Sequence, residues 1–256
     1  MTTPNVLVLT PVKDAAVEAS EYVDRLLALD HPVEHLAVGL LASDCVDHTS
    51  DVFNAELPRL TEAGWRSARL WQRDFGYRIP DGVERWAPDI QLERRRVLAL
   101  SRNHLLFNAL TDDIDWVLWL DVDVVEFRSD IVTLLTSLRL DIVQPHCVRA
   151  WGGPTFDLNA WRDKGRWHLD DMRGEGFLVA LHAVGGTMLL VRADRHRDGL
   201  VWPAYPYGLP NPLIRTDPSA IGRSQLGEIE TEGLGMMAHD MGITCWGLPE
   251  VEVRHR

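Results

Sequence analysis

The chain has 256 residues, enough for one large α/β domain or two small ones with a sizeable core, and its pattern reads as one. Its 26 basic against 38 acidic residues give a net charge of −12, which repels nucleic acid and anionic membrane surfaces. No run approaches the ~20 apolar residues of a membrane span, and Met1-Thr2-Thr3-Pro4-Asn5 has neither the basic start nor the apolar core of a signal peptide, so a soluble, cytoplasmic protein is expected.

In chain order, Val6-Leu7-Val8-Leu9 is a buried-strand run ended by Thr10-Pro11, and residues 15–29 place Val23, Leu26 and Leu27 at helical spacing before His31-Pro32. Residues 36–41 form a second apolar strand, after which Ser43-Asp44-Cys45-Val46-Asp47-His48-Thr49 offers capping side chains for a helix over 50–60. A weaker strand at 67–71, a loop marked by Gly76, Pro80, Gly82 and Pro88, and a helix over 91–110 lead to an apolar strand at 116–120. This alternation predicts an α/β fold with a mostly parallel central sheet and helices on both faces. The second half is less regular. It has a short strand at 141–143, a glycine-rich polar stretch over 146–178 that reads as an active-site flap, and a strand at 184–191. An exposed loop over 205–224, a helix over 228–241 closed by Gly242 and a last short strand at 243–246 complete it. Cys45, Cys147 and Cys245 are odd in number and not spaced as a zinc site, which fits core thiols in a reducing compartment.

The strand at 116–120 delivers Asp121-Val122-Asp123. Side chains two apart on a strand share a face, and open α/β sheets bind ligands at the carboxyl ends of their strands. Both carboxylates therefore converge where a hard cation fits. Mg²⁺ or Mn²⁺ held by one or two carboxylates completes its shell with substrate phosphates, so the pattern points to a metal diphosphate. Any strand can end in acids, and the motif needs its context.

A nucleotide sugar brings two negative phosphates, which an acidic protein must neutralise. Arg94-Arg95-Arg96 and Arg102-Asn103 lie on the helix over 91–110, and Arg95 and Arg102, seven apart, share a face; a solvated outer face is the competing reading. Thr10, Pro11, Lys13 and Asp14 follow the first strand, and Asp44 and Asp47 the second, at the same carboxyl edge as Asp121. A carboxylate there accepts a ribose hydroxyl or a base N–H, though helix capping explains the same residues. Gly185-Gly186 beside Thr187 suggests close approach by a ligand or another backbone, or a simple bulge. Glu230 and Glu232 open the last helix, where acids suit the dipole; with Asp157 they are the candidates for orienting sugar or acceptor. His255 follows the alternating Val251-Glu252-Val253, in position to complete the shell of a metal held by Asp123, and such a donor set tolerates Mn²⁺ more readily than Mg²⁺. Residues near chain ends are more often idle.

Eight segments together resemble the Anp1/Mnn9/Van1 family of mannosyltransferases, a retaining group with the GT-A fold. They are Val8-Leu9-Thr10-Pro11-Val12-Lys13-Asp14; Ser43 to Thr49; Arg94-Arg95-Arg96 with Leu98-Ala99 and Ser101-Arg102-Asn103; Trp116 to Asp123; Phe156-Asp157-Leu158-Asn159; Val184-Gly185-Gly186-Thr187; Ile229-Glu230-Thr231-Glu232-Gly233; and Gly247-Leu248-Pro249 with His255. The resemblance implies one GT-A domain over 1–256, with a nucleotide-binding half to about residue 125 and a sugar and acceptor half beyond it. It implies metal-dependent transfer of a hexose, mannose from GDP-mannose, to the hydroxyl of a glycan or small molecule, with Mn²⁺ or Mg²⁺ as cofactor. Asp121 and Asp123 would then belong to the metal and nucleotide site, His255 would be the distal metal ligand, and the segments at Thr10 and Asp44 would hold the nucleotide. The chain departs from the family pattern at Gln144-Pro145-His146, where Val-Pro-Asn is expected, and the residues before Val6 lead to the expectation of a member without the N-terminal anchor of the yeast type. Two rival readings stand beside this one. One is a haloacid-dehalogenase-type phosphatase with Asp121 as nucleophile, although that motif usually opens its domain; the other is a non-catalytic nucleotide-sugar or glycan-binding module.

Overall fold

In the computed structural model, which describes residues 3–85, 87–208 and 227–256, the first apolar run becomes β1 (Val6–Val12). Beside it in parallel lie β2 (Leu36–Ala42) and β4 (Trp116–Leu120), with β3 (Ser67–Gln72) next to β2. Strands covered on both faces need apolar residues on both, which is why β1, β2 and β4 read as continuous hydrophobic runs. Alternate residues of β1 confirm the two layers. Val6 and Val8 pack with Tyr22, Leu26 and Phe53 of α1 (Ala19–Leu27) and α2 (Thr49–Glu56), whereas Leu7 and Leu9 pack in the core that holds Leu105 and Leu106. The helix expected over 50–60 is two helices, because Pro58 starts α3 (Pro58–Glu62) directly after α2. The long helix α4 (Gln91–Ala109) forms as expected and supplies Leu105 and Leu106.

Past β4 come β5 (Val124–Glu126), α5 (Ile131–Ser137), β6 (Ile142–Val148), β7 (Val179–Leu181), β8 (Met188–Arg192), α6 (Ala193–Arg197), α7 (Glu230–Asp240) and β9 (Cys245–His255). The sheet order is β3-β2-β1-β4-β8-β6-β9-β5, with β7 also on β9. The first four strands are parallel; β8 then runs antiparallel to β4 and β6, and β9 runs parallel to β6 and antiparallel to β5 and β7. The sheet is thus parallel in one half and mixed in the other.

Four boundaries differ from the expectation. The first strand does not end at Thr10-Pro11 but runs through them to Val12, because residues 10–12 stay paired with 40–42 of β2. The strand expected at 141–143 continues to Val148, so residues 146–148 belong to the sheet and the irregular flap starts beyond them. The strand expected from residue 184 starts at Met188, because residues 184–187 are drawn into a turn. The short strand at 243–246 is the beginning of the 11-residue β9, which accommodates Pro249 through a register shift that pairs Pro145 with Leu248 but His146 with Glu252. Most of the loop expected over 205–224 lies outside the described residues. The pairing of β5 with β9 sets Val124 opposite His255 and so brings the far end of the chain to Asp123.

Candidate active site

The acidic pair leaves the carboxyl end of β4. The Asp121 N–H donates to the Thr187 carbonyl at 2.9 Å, while His255 Nε2 stands 3.1 Å from Asp123 Oδ1. The Phe156 ring lies 4.0 Å from the imidazole, centroid to centroid. His255 Nδ1 is 2.9 Å from the Arg256 carbonyl, which only accepts, so Nδ1 carries the proton. A neutral ring then aims the Nε2 lone pair at a carboxylate oxygen, an arrangement that needs either a second proton or a cation between them. The same pattern, with the distal N–H on a backbone carbonyl, orients a metal-ligating histidine. Burial alone would lower the His255 pKa, but the hydrogen bond and charge of Asp123 raise it above the ordinary value. Burial likewise works against Asp123, and the His255 contact outweighs it and holds this carboxyl low. Asp121 is pushed up to about 6 by burial, opposed by Arg102 and reinforced by Asp123 and Asp157. Its side chain keeps 31% of its surface open to the cleft, so that shift responds to whatever fills the cleft.

Two carboxylates, one of them reluctant to ionise, and an imidazole facing the other are donor types that a divalent ion takes. Among the described residues, the trio of potential ligands that falls within 4.8 Å is instead the more exposed Asp14, Cys45 and Asp47. Asp121 is turned toward Arg102, whose Nη2 is 3.2 Å from its Oδ1.

The cleft holds about 460 Å³ and runs from Asp121, Asp123 and His255 to a row on α4. Arg102 is the buried end of that row. It pairs with Asp121 and Glu230, lies 3.4 Å from the Gly186 carbonyl and stacks over Trp202 at 4.4 Å. Arg95 is bound by Glu232 at 2.7 Å, by Glu230 at 3.6 Å and by the Ile229 carbonyl at 2.6 Å. Both arginines singled out from the sequence are therefore already neutralised by acids of α7. Arg94 was not singled out. It lines the cleft, reaches Gln91 Oε1 at 3.5 Å and makes no ion pair among the described residues. Its signal was the spacing Arg94, Leu98, Arg102, a row of every fourth residue on one helix face.

A narrower cavity of about 120 Å³ opens beside the cleft, lined by Pro11, Val12, Lys13, Asp44, Tyr77 and Val97 among others. Arg94 and Leu98 line both spaces and form the wall between them. The Tyr77 hydroxyl is buried there without a hydrogen-bond partner among the described residues. Asp44 is buried with φ of 55°, and its carboxylate accepts the N–H groups of Phe75 and Tyr77 at 3.1 Å and pairs with Arg78 at 3.0 Å. It organises the loop that carries Tyr77. Lys13 contacts the Asp44 carbonyl and pairs with Asp14 at 3.1 Å.

Several expected site residues are occupied elsewhere. Thr10 is fully buried, its hydroxyl 2.7 Å from the Leu120 carbonyl and 2.5 Å from the Tyr22 hydroxyl, so it joins β1 to β4 and lines neither of these two cavities. Asp47 accepts the N–H groups of Thr49 at 3.0 Å and Ala16 at 3.2 Å, and Asp14 that of Val46 at 2.7 Å, so these carboxylates tie together the loops that follow β1 and β2, and neither is the N-cap residue of a helix. Asp157 Oδ2 accepts from the N–H of Gly186 at 3.0 Å, the N–H of Thr187 at 3.2 Å and the Thr187 hydroxyl at 3.0 Å, so this carboxylate holds the cleft wall together. A Cβ on Gly185 would lie 2.0 Å from Asp157 Oδ2, and one on Gly186 2.5 Å from Arg102 Nη2. The close approach inferred at this pair comes from the protein's own side chains. Glu232 faces Arg95 and the Trp161 indole N–H at 3.0 Å. Glu230 lines the cleft at 2% exposure with φ of 58°, a strained backbone of the kind that concentrates at functional sites.

A parallel half-sheet whose central strand ends in an acidic pair, continued by a mixed half that walls a cleft, is the GT-A fold of nucleotide-diphospho-sugar transferases, and solved structures of that fold resemble it. The Pyrobaculum calidifontis mannosyltransferase PcManGT, in complex with GDP-Man and Mn²⁺, gives a TM-score of 0.56 at 14% identity, covering 100% of this chain and 57% of that one. S. aureus TarS 1-349 in complex with UDP gives 0.55 at 12%, covering 97% and 59%. The Anp1 family pattern matches residues 1–174, and the chain belongs to that family. Among its relatives are the mannan polymerase complex subunit mnn9 of Schizosaccharomyces pombe, 28% identical over 98% of this chain and 79% of that protein, and MNN9 of Candida albicans, 27% over 98% and 74%. The mannan polymerase II complex anp1 subunit of S. pombe is 25% identical over 98% of this chain and 63% of that protein. Family and fold make the chain a glycosyltransferase. The dehalogenase reading loses its basis, since Asp121 follows the fourth strand of the chain and Asp170 is bound to the Thr155 hydroxyl. No helix among the described residues is long and apolar enough to cross a membrane.

Proposed function

We propose that this chain transfers mannose from GDP-mannose to a hydroxyl of a glycan or small molecule, with retention, in the presence of Mn²⁺ or, less readily, Mg²⁺. The observation that carries the reading is the His255–Asp123 contact at 3.1 Å, facing the α4 arginine row across one cleft. Asp123 and His255 would hold the ion, with Asp121 beside them. When bound, that ion would neutralise the diphosphate and stabilise charge growing on the departing GDP. Arg94 and Arg85 both line the cleft with no ion pair among the described residues, and Arg94, on the wall between the two cavities, is the one assigned to the phosphates. The narrow cavity would take the nucleoside, with the Tyr77 hydroxyl as its unclaimed polar group. Glu230 is the α7 acid on the cleft surface and the candidate for orienting the sugar or acceptor; Asp157, which also lines the cleft, holds the Gly186-Thr187 turn, and Glu232 acts from behind through Arg95. One domain is proposed, its halves meeting after β4. The names of its relatives and the ligands of its structural neighbour support mannose, guanosine diphosphate and manganese. The three free thiols support a reducing compartment, and with it a cytoplasmic address.

A thermal-shift panel of nucleoside diphosphates and their sugars, with and without Mn²⁺, tests the donor. A ligand at 100 times its Kd stabilises the native state by about 2.7 kcal/mol. GDP and GDP-mannose with Mn²⁺ should raise Tm, and Asp123→Ala should lose the manganese-dependent part. A rise with uridine nucleotides alone overturns the donor assignment. Binding of GDP-mannose with neither transfer nor hydrolysis returns the chain to a binding module.

A further inference from the structure

Gln144-Pro145-His146 on β6 has no part in the reading above. Gln144 and His146 are 1% and 0% exposed, in a central strand where apolar side chains are the rule. Two apart, they share a face, and each bonds a different piece of the cleft wall. Gln144 Oε1 accepts the Gly185 N–H at 2.8 Å. An apolar residue here would leave that buried N–H unpaired. His146 Nε2 lies 2.9 Å from the Thr155 hydroxyl, and its Nδ1 lies 3.3 Å from Arg173 Nη2, which can donate to it. Thr155 is 2.5 Å from Asp170 Oδ1, a carboxylate oxygen that takes the single hydroxyl proton, so Nε2–H is the donor toward Thr155.

The two pieces are joined to each other through Asp157, which accepts from Gly186 and Thr187. Residues 155–159 and 185–187 thereby form one hydrogen-bonded panel that presents Phe156, Leu158, Asn159 and Gly186 to the cleft. The panel is fastened to the sheet at two points, one through Gln144 and one through His146. Neither of these residues lines the cleft.

We propose that Gln144 and His146 are positioning residues for the transfer reaction: acting through Gly185 and Thr155, they fix the panel at its working distance from the α4 arginines. The proposal rests on the transferase reading. Its physical basis is that a misplacement of about 1 Å in a reacting geometry costs on the order of 100-fold in rate.

The test uses the full chain with Mn²⁺, GDP and GDP-mannose. Gln144→Met keeps the bulk and removes the acceptor, Gln144→Glu restores an acceptor oxygen, and Thr155→Val removes the hydroxyl between His146 and Asp170 with little change of shape. Gln144→Met and Thr155→Val should each lower kcat by roughly 10- to 100-fold while GDP affinity stays within about twofold, because the panel lies apart from the proposed nucleoside cavity. Amides 185–187 should exchange hydrogen faster in Gln144→Met, and amides 155–159 faster in Thr155→Val, with Gln144→Glu recovering toward wild type. Unchanged kcat, or parallel loss of kcat, GDP affinity and Tm, overturns the proposal. If the wild-type chain transfers nothing, the donor reading has failed, and amide exchange still decides: a panel that does not loosen in either variant has no such fastening.

Discussion

Arg94 and Arg95 are neighbours on α4 with opposite duties. Successive helical residues point about 100° apart, which turns Arg95 into the carboxylates of Glu230 and Glu232 and leaves Arg94 on the boundary of two cavities. Charge-assisted contacts are worth about 1.5–3 kcal/mol. Arg94→Ala should therefore weaken GDP binding by roughly tenfold or more with Tm nearly unchanged, whereas Arg95→Ala should lower Tm by taking the cation from Glu232 and leaving Glu230 to Arg102 alone. Calorimetric titration with GDP beside a thermal melt separates the two, and undiminished GDP affinity in Arg94→Ala removes the phosphate role. The sequence marked Asp121 and Asp123 because an acidic pair at the end of an apolar run is a local pattern, but both lie in the turn beyond β4 rather than on the strand, and Asp121 is turned toward Arg102. Thr10 was not legible in the same way, since a hydroxyl at a strand's carboxyl end looks identical whether it meets a ligand or the next strand's carbonyl. Asp157 was marked as an acid near the site, yet its partners lie some thirty residues further on, and only the fold reveals that they occupy it.

At the scale of elements, the strands buried on both faces and the helix over 91–110 were legible, because continuous apolar runs and long periodic segments carry their own signal. β9 was not: Gly247 and Pro249 interrupt its pattern, and the bulge that accommodates them is set by pairing with β6, far away in sequence. The 184–187 segment misread as strand for a related reason, since its apolar start and its glycines serve a turn clamped by Asp157. That clamp makes a sharp prediction. In Gly185→Ala the new methyl would fall 2.0 Å from Asp157 Oδ2, and the buried carboxylate cannot withdraw without releasing the Gly186 and Thr187 donors. Overpacking with lost hydrogen bonds costs about 2 kcal/mol or more, so the urea midpoint should fall measurably. A variant as stable as wild type would mean that the turn is not held this way.

For the molecule as a whole, the acidic corner sets the response to pH. Asp121 and His255 both have folded pKa values raised above their ordinary ones, so each contributes stability at low pH that is lost as pH rises, Asp121 through about 6 and His255 above 6.5. Asp123 is depressed and contributes in the opposite sense, with its loss confined to pH below the ordinary carboxylate range. The metal-free protein should therefore gain from these two groups between pH 8 and 5. A divalent ion needs both deprotonated, so the manganese-induced rise in Tm should grow over that same interval as pH increases. Melts in chelator and in Mn²⁺ across pH 5–8 measure the difference, and an increment independent of pH would exclude Asp121 and His255 as ligands. The antiparallel pairing of β5 with β9 carries one more consequence. In the proposed seat the two acids follow the end of β4, while the imidazole is carried in by β9 through its pairing with β5. Loosening that pairing would leave the acids where they are and take the imidazole away, so the manganese-dependent rise in Tm should fall with it.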